Sequence, residues 1–253
     1  MKNKGWWLAL SLLALASCKT ANLKLANIQT QKNISITSDL VEDVDAATLI
    51  EPYKQELAKK MSEKIAYTDV DLNKKGDNSN LGNLLSDYTY NVAKDWGKAN
   101  GLPKIDAAVI NIGGIRSTIG KGDILLKNIF EVMPFENELV IMKLKGSDIQ
   151  GLFNYYLERQ VNNPVSNIVI ETENGKLNKA LIDGKAVVND QDYYIATSDY
   201  LSLGGDYMKF FTNGKAIATG IKLRDAYIEE FRKNKDIVAP SDVRLNFIGK
   251  SSK

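Results

Sequence analysis

The sequence predicts an α+β domain, a mixed β-sheet flanked by helices, and three observations point there. Apolar residues at 44% and charged residues at 25% of 253 are the proportions of a packed core with a solvated surface. Segments of helical period and segments of strand character interleave irregularly, without strict βαβ alternation. Several strand-like runs are hairpin-like neighbours, which favours a mixed sheet over a doubly wound parallel one. The length suits one sizeable domain.

Each element has its own reason. Ala46 to Ile65 sets Leu49, Ile50, Tyr53, Leu57 and Met61 at helical spacing. Asn80 is placed to cap a second helix with Leu81, Leu84, Leu85, Tyr88, Val92 and Trp96 on its stripe, and Gly101 follows as a stop signal. Asp106 to Ile110 reads as a short buried strand running into the turn Asn111–Arg116. Lys127 to Val132 reads as a short helix ending before Pro134, and Glu138 to Lys145 as a strand with Leu139, Ile141 and Leu144 inward. Ser147 to Gln160 is amphipathic again, beginning with a Ser cap. Val165 to Thr172, Lys185 to Val188 and Tyr193 to Thr197 read as strands, and Leu223 to Lys233 as a late helix. There is no internal repeat and no coiled-coil heptad.

Composition excludes whole classes of chemistry. The chain has no His, so no imidazole serves as general base, proton shuttle or metal ligand. Ser-His-Asp and Cys-His catalysis and His-ligated zinc are out, while carboxylate sites for magnesium or calcium survive. The net charge is +2, but Lys2 and Lys4 lie in the first 17 residues, leaving 31 bases against 31 acids in the remainder. A neutral remainder argues against nucleic acid as a partner.

Residues 1–18 are expected to be an address. Lys2 and Lys4 make a positive start, and Trp6 to Ala16 is an apolar stretch too short to span a bilayer as a helix. Leu15-Ala16-Ser17-Cys18 resembles a bacterial lipobox, in which Cys18, the sole cysteine, is acylated and becomes the mature N-terminus. The alternative is an ordinary signal peptide with an incidental Cys. The expected organisation is a signal peptide over 1–17, a polar tether over 18–45 and a domain over 46–253, exported and held to the cell envelope by a lipid on Cys18. With one Cys, no internal disulfide can form.

Three loops carry the candidate chemistry. In the first, Gly113 and Gly114 let the backbone approach a ligand or take positive φ after Asn111, and Arg116 offers a fork for phosphate or carboxylate. In the second, Pro134 fixes a loop that could present Phe135 as a plate, with Asn137 beyond it. In the third, Tyr200 precedes Gly204-Gly205-Asp206, which sets one carboxylate in a turn. On pattern alone each has a plainer alternative: a tight turn with a surface Arg, a core Phe, a solvated turn Asp. Together the loops could hold a nucleotide. Two aromatics sandwich a base, Asp206 accepts from ribose hydroxyls, Asn111 and Asn137 read base edges, and Arg116 takes a phosphate.

These pieces resemble the C-terminal domain of the 5'-nucleotidase family. The matching segments are Asn80-Leu-Gly-Asn-Leu84, Asn111-x-Gly-Gly-Ile-Arg116, Met133-Pro-Phe135, Leu144-Lys-Gly146 and Tyr200-Leu-Ser-x-Gly-Gly-Asp206, in family order across about residues 46–248. The resemblance implies that family's C-terminal fold and a nucleoside or nucleoside 5'-monophosphate as ligand. It implies Phe135 and Tyr200 as base plates, Tyr200 standing where Phe is usual. Asn111, Gly113, Gly114, Arg116, Asn137, Gly205 and Asp206 complete the substrate contacts. The chain departs from the family in two places. An Arg-Glu pair usual before the Asn-Leu-Gly-Asn helix is replaced by Lys74-Lys-Gly-Asp-Asn78, so the contact is lost or a Lys replaces it. Family members also carry a metallophosphoesterase domain with a two-metal site that needs His, and this sequence has no His and little length for it. No catalytic or metal-binding residue is therefore expected in this chain, and no cofactor. Divalent metals are expected in a separate metallophosphoesterase partner, in a split 5'-nucleotidase. Two rivals are a stand-alone nucleoside-binding lipoprotein without hydrolase activity and a structural remnant without a ligand.

Overall fold

The computed structural model describes residues 27–250, so the expected signal peptide and Cys18 lie outside the described residues. The chain divides into two units, 1–49 and 50–253. In the first, residues 27–43 are exposed and carry no regular element beyond a turn. Helix α1 spans Val44–Met61. Its start is fixed by Asp43, whose carboxylate accepts from the Ala46 N–H at 3.0 Å. The expected continuation to Ile65 does not occur. Lys64–Thr68 is strand β1, and Ile65 and Ala66 enter the core from it. The apolar residues of α1 do not form a core stripe either: Leu49, Ile50, Tyr53 and Leu57 are 54 to 73% exposed.

The second unit continues with α2 (Asn80–Ala99), β2 (Ala107–Val109), β3 (Gly122–Leu125), α3 (Leu126–Val132), β4 (Glu138–Lys145) and α4 (Gly146–Arg159). Then come β5 (Val165–Ser166), β6 (Ile168–Glu173), β7 (Lys176–Ile182), β8 (Lys185–Ala186), β9 (Asp192–Ser198) and α5 (Asp199–Ser202). Last are β10 (Lys215–Lys222), α6 (Leu223–Lys233), β11 (Asp236–Ile237) and β12 (Leu245–Ile248). The fold is α+β as the sequence predicts, and among the described residues the strands form three mixed sheets in place of one. Their orders are β11-β1-β3, β10-β4-β9-β2-β5 and β12-β6-β7-β8.

Three sequence expectations are corrected locally. Ser79, not Asn80, caps α2, its hydroxyl accepting from the Gly82 N–H at 3.2 Å. The Asn80 side chain instead ties down the preceding loop, accepting from Asn73 N–H at 2.8 Å and donating to the Asp71 carbonyl at 2.9 Å. Helix α4 starts at Gly146 without a Ser cap. Carbonyls of the neighbouring loop supply what a cap would: Gly146 N–H donates to Gln191 at 2.9 Å and Ser147 N–H to Asn189 at 3.1 Å. Only Gly fits there, since a Cβ would lie 2.0 Å from the Val188 carbonyl oxygen. The segment Val165–Thr172 breaks at Asn167, whose φ of 60° sends β5 and β6 to different sheets.

The five-stranded sheet is the middle layer, and strand alternation divides its side chains between two cores. Ala108, Leu139, Ile141 and Ala196 face one, with α2, α3 and α6 over them. Ala107, Val109, Val140, Met142, Leu144 and Ile195 face the other, with α4 and the four-stranded sheet. Leu139, Ile141 and Leu144 are thus all inward, on opposite faces. Burying each such side chain stabilises by about 1.5–3 kcal/mol, so the middle sheet is the stiff part of the molecule.

Candidate functional site

Topology brings the three loops to one end of that sheet. Strands β2 and β9 run parallel, paired at Ala107↔Ile195, so both release their chain at the same edge. β4 runs antiparallel to β9, pairing Leu139 with Ser198, so its incoming loop arrives there too. Asn111, Asn137 and Tyr200 each lie within two residues of one of these strand ends. Carboxyl ends of parallel strands are where α/β sheets commonly hold ligands.

The first loop is a single 3-10 turn over Ile112–Gly114. Gly113 and Gly114 are not among the positive-φ glycines, so they serve close approach and not unusual backbone. A Cβ on Gly114 would lie 3.0 Å from Asn111 Oδ1, and its absence makes room for that amide. The turn is held from behind by Asn163, which sequence reasoning passed over. Its Oδ1 accepts from the Ile112 N–H at 2.9 Å and its amide donates to the Tyr155 hydroxyl at 2.9 Å. An isolated buried Asn in a polar loop carries no sequence signal that separates it from its neighbours.

The second loop presents Phe135 at 45% exposure, so it is not a core residue. Tyr200 is likewise 45% exposed, on the first turn of α5, which Ser198 caps by accepting from the Leu201 N–H at 3.1 Å. Gly204 then takes φ 86°, and Asp206 and Tyr207 follow with φ 50° and 66°. Left-handed backbone at two successive non-glycine residues is costly, the more so for a bulky Tyr. It returns Asp206 to Tyr200: the Tyr200 hydroxyl donates to Asp206 Oδ1 at 2.9 Å and accepts from the Asp206 N–H at 3.1 Å. The carboxylate holding its proton raises the Tyr200 phenol above its ordinary value. Burial, with Asp206 adding to it, pushes the nearby Tyr155 phenol up to about 12.

Of the nine residues the sequence nominates, seven line one cavity of about 310 Å³: Asn111, Gly113, Gly114, Phe135, Asn137, Tyr200 and Asp206. Gly205 and Arg116 are not in its wall. Gly205 lies beneath Tyr200, where a Cβ would come within 2.6 Å of the ring. Arg116 is exposed beside the cavity, its guanidinium 5.9 Å from the Phe135 ring centre and its Nη1 donating to the Gly113 carbonyl at 3.2 Å. Lys74, from the segment that replaces the family's Arg-Glu, donates to the Ile115 carbonyl at 2.7 Å, which sets its charge against the same turn. Among the described residues no three His, Cys, Asp or Glu side chains gather to hold a metal.

The family model for the 5'-nucleotidase C-terminal domain matches residues 58–213. The chain is 31% identical to the trifunctional nucleotide phosphoesterase protein YfkN of Bacillus subtilis, over 73% of this chain and 14% of that protein. It is 27% identical to a 5'-nucleotidase of Vibrio vulnificus, over 81% of this chain and 37% of that one. The chain thus spans well under half the length of these curated relatives. In fold it is similar to a 5'-nucleotidase precursor from Thermus thermophilus, with a TM-score of 0.69 at 24% identity over 83% of this chain and 44% of that structure. A family match over more than half the sequence, joined to that likeness of fold, establishes that the chain belongs to the 5'-nucleotidase family through its C-terminal domain.

Proposed function

We propose that this domain is the nucleotide-recognition half of a split 5'-nucleotidase, phosphomonoester hydrolysis requiring a separate metallophosphoesterase chain. The observation that carries it is the convergence of Phe135, Tyr200, Asp206, Asn111 and Asn137 on one cavity. In this reading the aromatic rings stack on the base, each face contributing about 1–3 kcal/mol. Asp206 accepts from ribose hydroxyls through the oxygen that Tyr200 leaves free, and the two Asn amides meet base edges. Arg116 and Lys74 set positive charge at the rim, where a 5'-phosphate would stand. The relatives' names, a nucleotide phosphoesterase and a 5'-nucleotidase, support a nucleotide as the ligand. Hydrolysis is assigned to a partner because the sequence has no His and metal-assisted hydrolysis needs a bound ion. The divalent metals belong to that partner.

One observation favours the second reading, a stand-alone nucleoside-binding lipoprotein. Arg116 stands outside the cavity wall, so the cavity itself meets the nucleoside and not the phosphate. Calorimetric titration separates the two: a recognition subunit binds AMP more tightly than adenosine, and a nucleoside carrier binds both alike. Binding of neither at millimolar concentration overturns both. We also propose export and anchoring by a lipid on Cys18. Intact mass of the native protein tests this, and an unmodified chain beginning elsewhere than Cys18 refutes it.

A further inference from the structure

The loop that carries Phe135 is held by a clamp from the junction of β10 and α6. Leu223 N–H donates to the Asn137 carbonyl at 2.9 Å. Lys222 Nζ donates to the Glu136 carbonyl at 3.2 Å and to Glu138 Oε1 at 2.9 Å. Arg224 Nη1 donates to the Pro134 carbonyl at 3.1 Å, and its Nη2 pairs with the Glu136 carboxylate. The residues on both sides of Phe135 are therefore fixed, while the ring stays out in the cavity wall. Arg224 is itself well fixed: its side chain is 12% exposed and its guanidinium lies 4.5 Å from the ring centre of Phe130, on α3.

A surface loop between a helix and a strand is closed by the chain and needs no such clamp to fold. An exposed ring does need one if it is to hold a fixed plane, because no core packing orients it. The clamp also leaves Arg224 Nε buried without a partner among the described residues. The guanidinium fork is thus oriented toward the loop and not toward its own full satisfaction. We infer that Arg224 is a positioning residue that sets the Phe135 plate. This rests on the proposed nucleoside site. Arg suits the position because its planar fork aims separate N–H groups at the Pro134 carbonyl and the Glu136 carboxylate while its face lies against the Phe130 ring, a combination that a point-like ammonium does not reproduce.

The test is a double-mutant cycle in the full chain with adenosine as the probe. Arg224→Met keeps an apolar stem on Phe130 and removes the fork. It should weaken adenosine binding about fivefold or more, and Arg224→Lys should not restore it. In a Phe135→Ala background the same change should alter affinity by less than about twofold, because the plate it positions is gone. Equal weakening in both backgrounds, or wild-type affinity in Arg224→Met, overturns the inference. A second measurement needs no ligand. Amide hydrogen exchange of residues 133–137 should rise in Arg224→Met while the core strands β4 and β9 stay protected. Unchanged exchange in that loop overturns the inference even if no nucleoside binds, whereas failure of wild type to bind adenosine or AMP counts against the proposed site.

Discussion

Tyr200 and Asp206 act as one unit, and a hydroxyl makes them so. The ring rests over Gly205, and its phenol exchanges two hydrogen bonds with Asp206. A Phe at this position would stack equally well but leave the carboxylate free to rotate. Tyr200→Phe should therefore weaken adenosine binding by about threefold to tenfold, the worth of one net hydrogen bond, and leave 2',3'-dideoxyadenosine unaffected. Titration of both ligands checks this, and an equal loss for both would show that the ring and not its hydroxyl had been disturbed. The residue types of this pair, aromatic and carboxylate around two glycines, are legible in the sequence. Their mutual hydrogen bonds are not, because they depend on left-handed φ at Asp206 and Tyr207, which neither residue type signals. Asn163 and Arg224 were illegible for another reason. Each acts across a long sequence separation, on the Asn111 turn and the Phe135 loop respectively.

At the scale of elements, the last strand is fastened to α2 by one buried cation. Arg244 sends its fork to both carboxylate oxygens of Asp87 and both of Asp242, and donates further to the carbonyls of Asn83 and Val165. Asn78 accepts from the backbone N–H groups of Arg244 and Leu245, which completes the seam. Arg244→Met should cost about 1–3 kcal/mol, since it removes several charge-assisted hydrogen bonds while Asp87 and Asp242, 31% and 59% exposed, recover part of them from water, and denaturant unfolding would show it. The same ion pair sets a pH dependence. Hydrogen bonding to Arg244 holds Asp242 below its ordinary value of 3.8. A depressed carboxylate contributes stability that is present above 3.8 and lost as pH falls through its folded value. Asp242→Asn should flatten that acid limb without changing the slope above pH 5 or so. Helices α2, α4 and α6 and strand β4 were legible because each carries an amphipathic or apolar period of its own. Strand β1 was read as the end of a helix because Ile65 falls four residues after Met61, at helical spacing. Strands β7 and β10 carry Lys, Asn and Thr on largely exposed ladders. Their conformation comes from partners far along the chain and not from their own pattern.

At the scale of the molecule, recognition and chemistry need different residue sets, and the proposed split assigns only the first to this chain. In the proposed function, stacking, ribose contact and base-edge contact fall to side chains on loops at one edge of a stiff sheet buried on both faces. Hydrolysis of a phosphomonoester additionally needs an activated water and strong neutralisation of charge that grows on the phosphate. Arg116 and Lys74 can supply part of the second at the rim, but neither can generate a nucleophile. Uniform binding without that difference between ground and transition state does not accelerate the reaction. The purified chain should therefore show no AMP hydrolysis above background with magnesium, manganese, zinc or calcium at neutral pH. Adding a metallophosphoesterase chain that lacks its own nucleoside-binding domain should bring activity that depends on both components. Phe135→Ala and Asp206→Asn in this chain should then raise KM for AMP about fivefold or more, each removing a contact that acts in substrate binding. Phosphate release followed in all combinations of chain, partner and metal decides the matter. Robust turnover by this chain alone, surviving repeated purification and abolished by chelation, would place a catalytic metal on its carboxylates and defeat the split-enzyme reading.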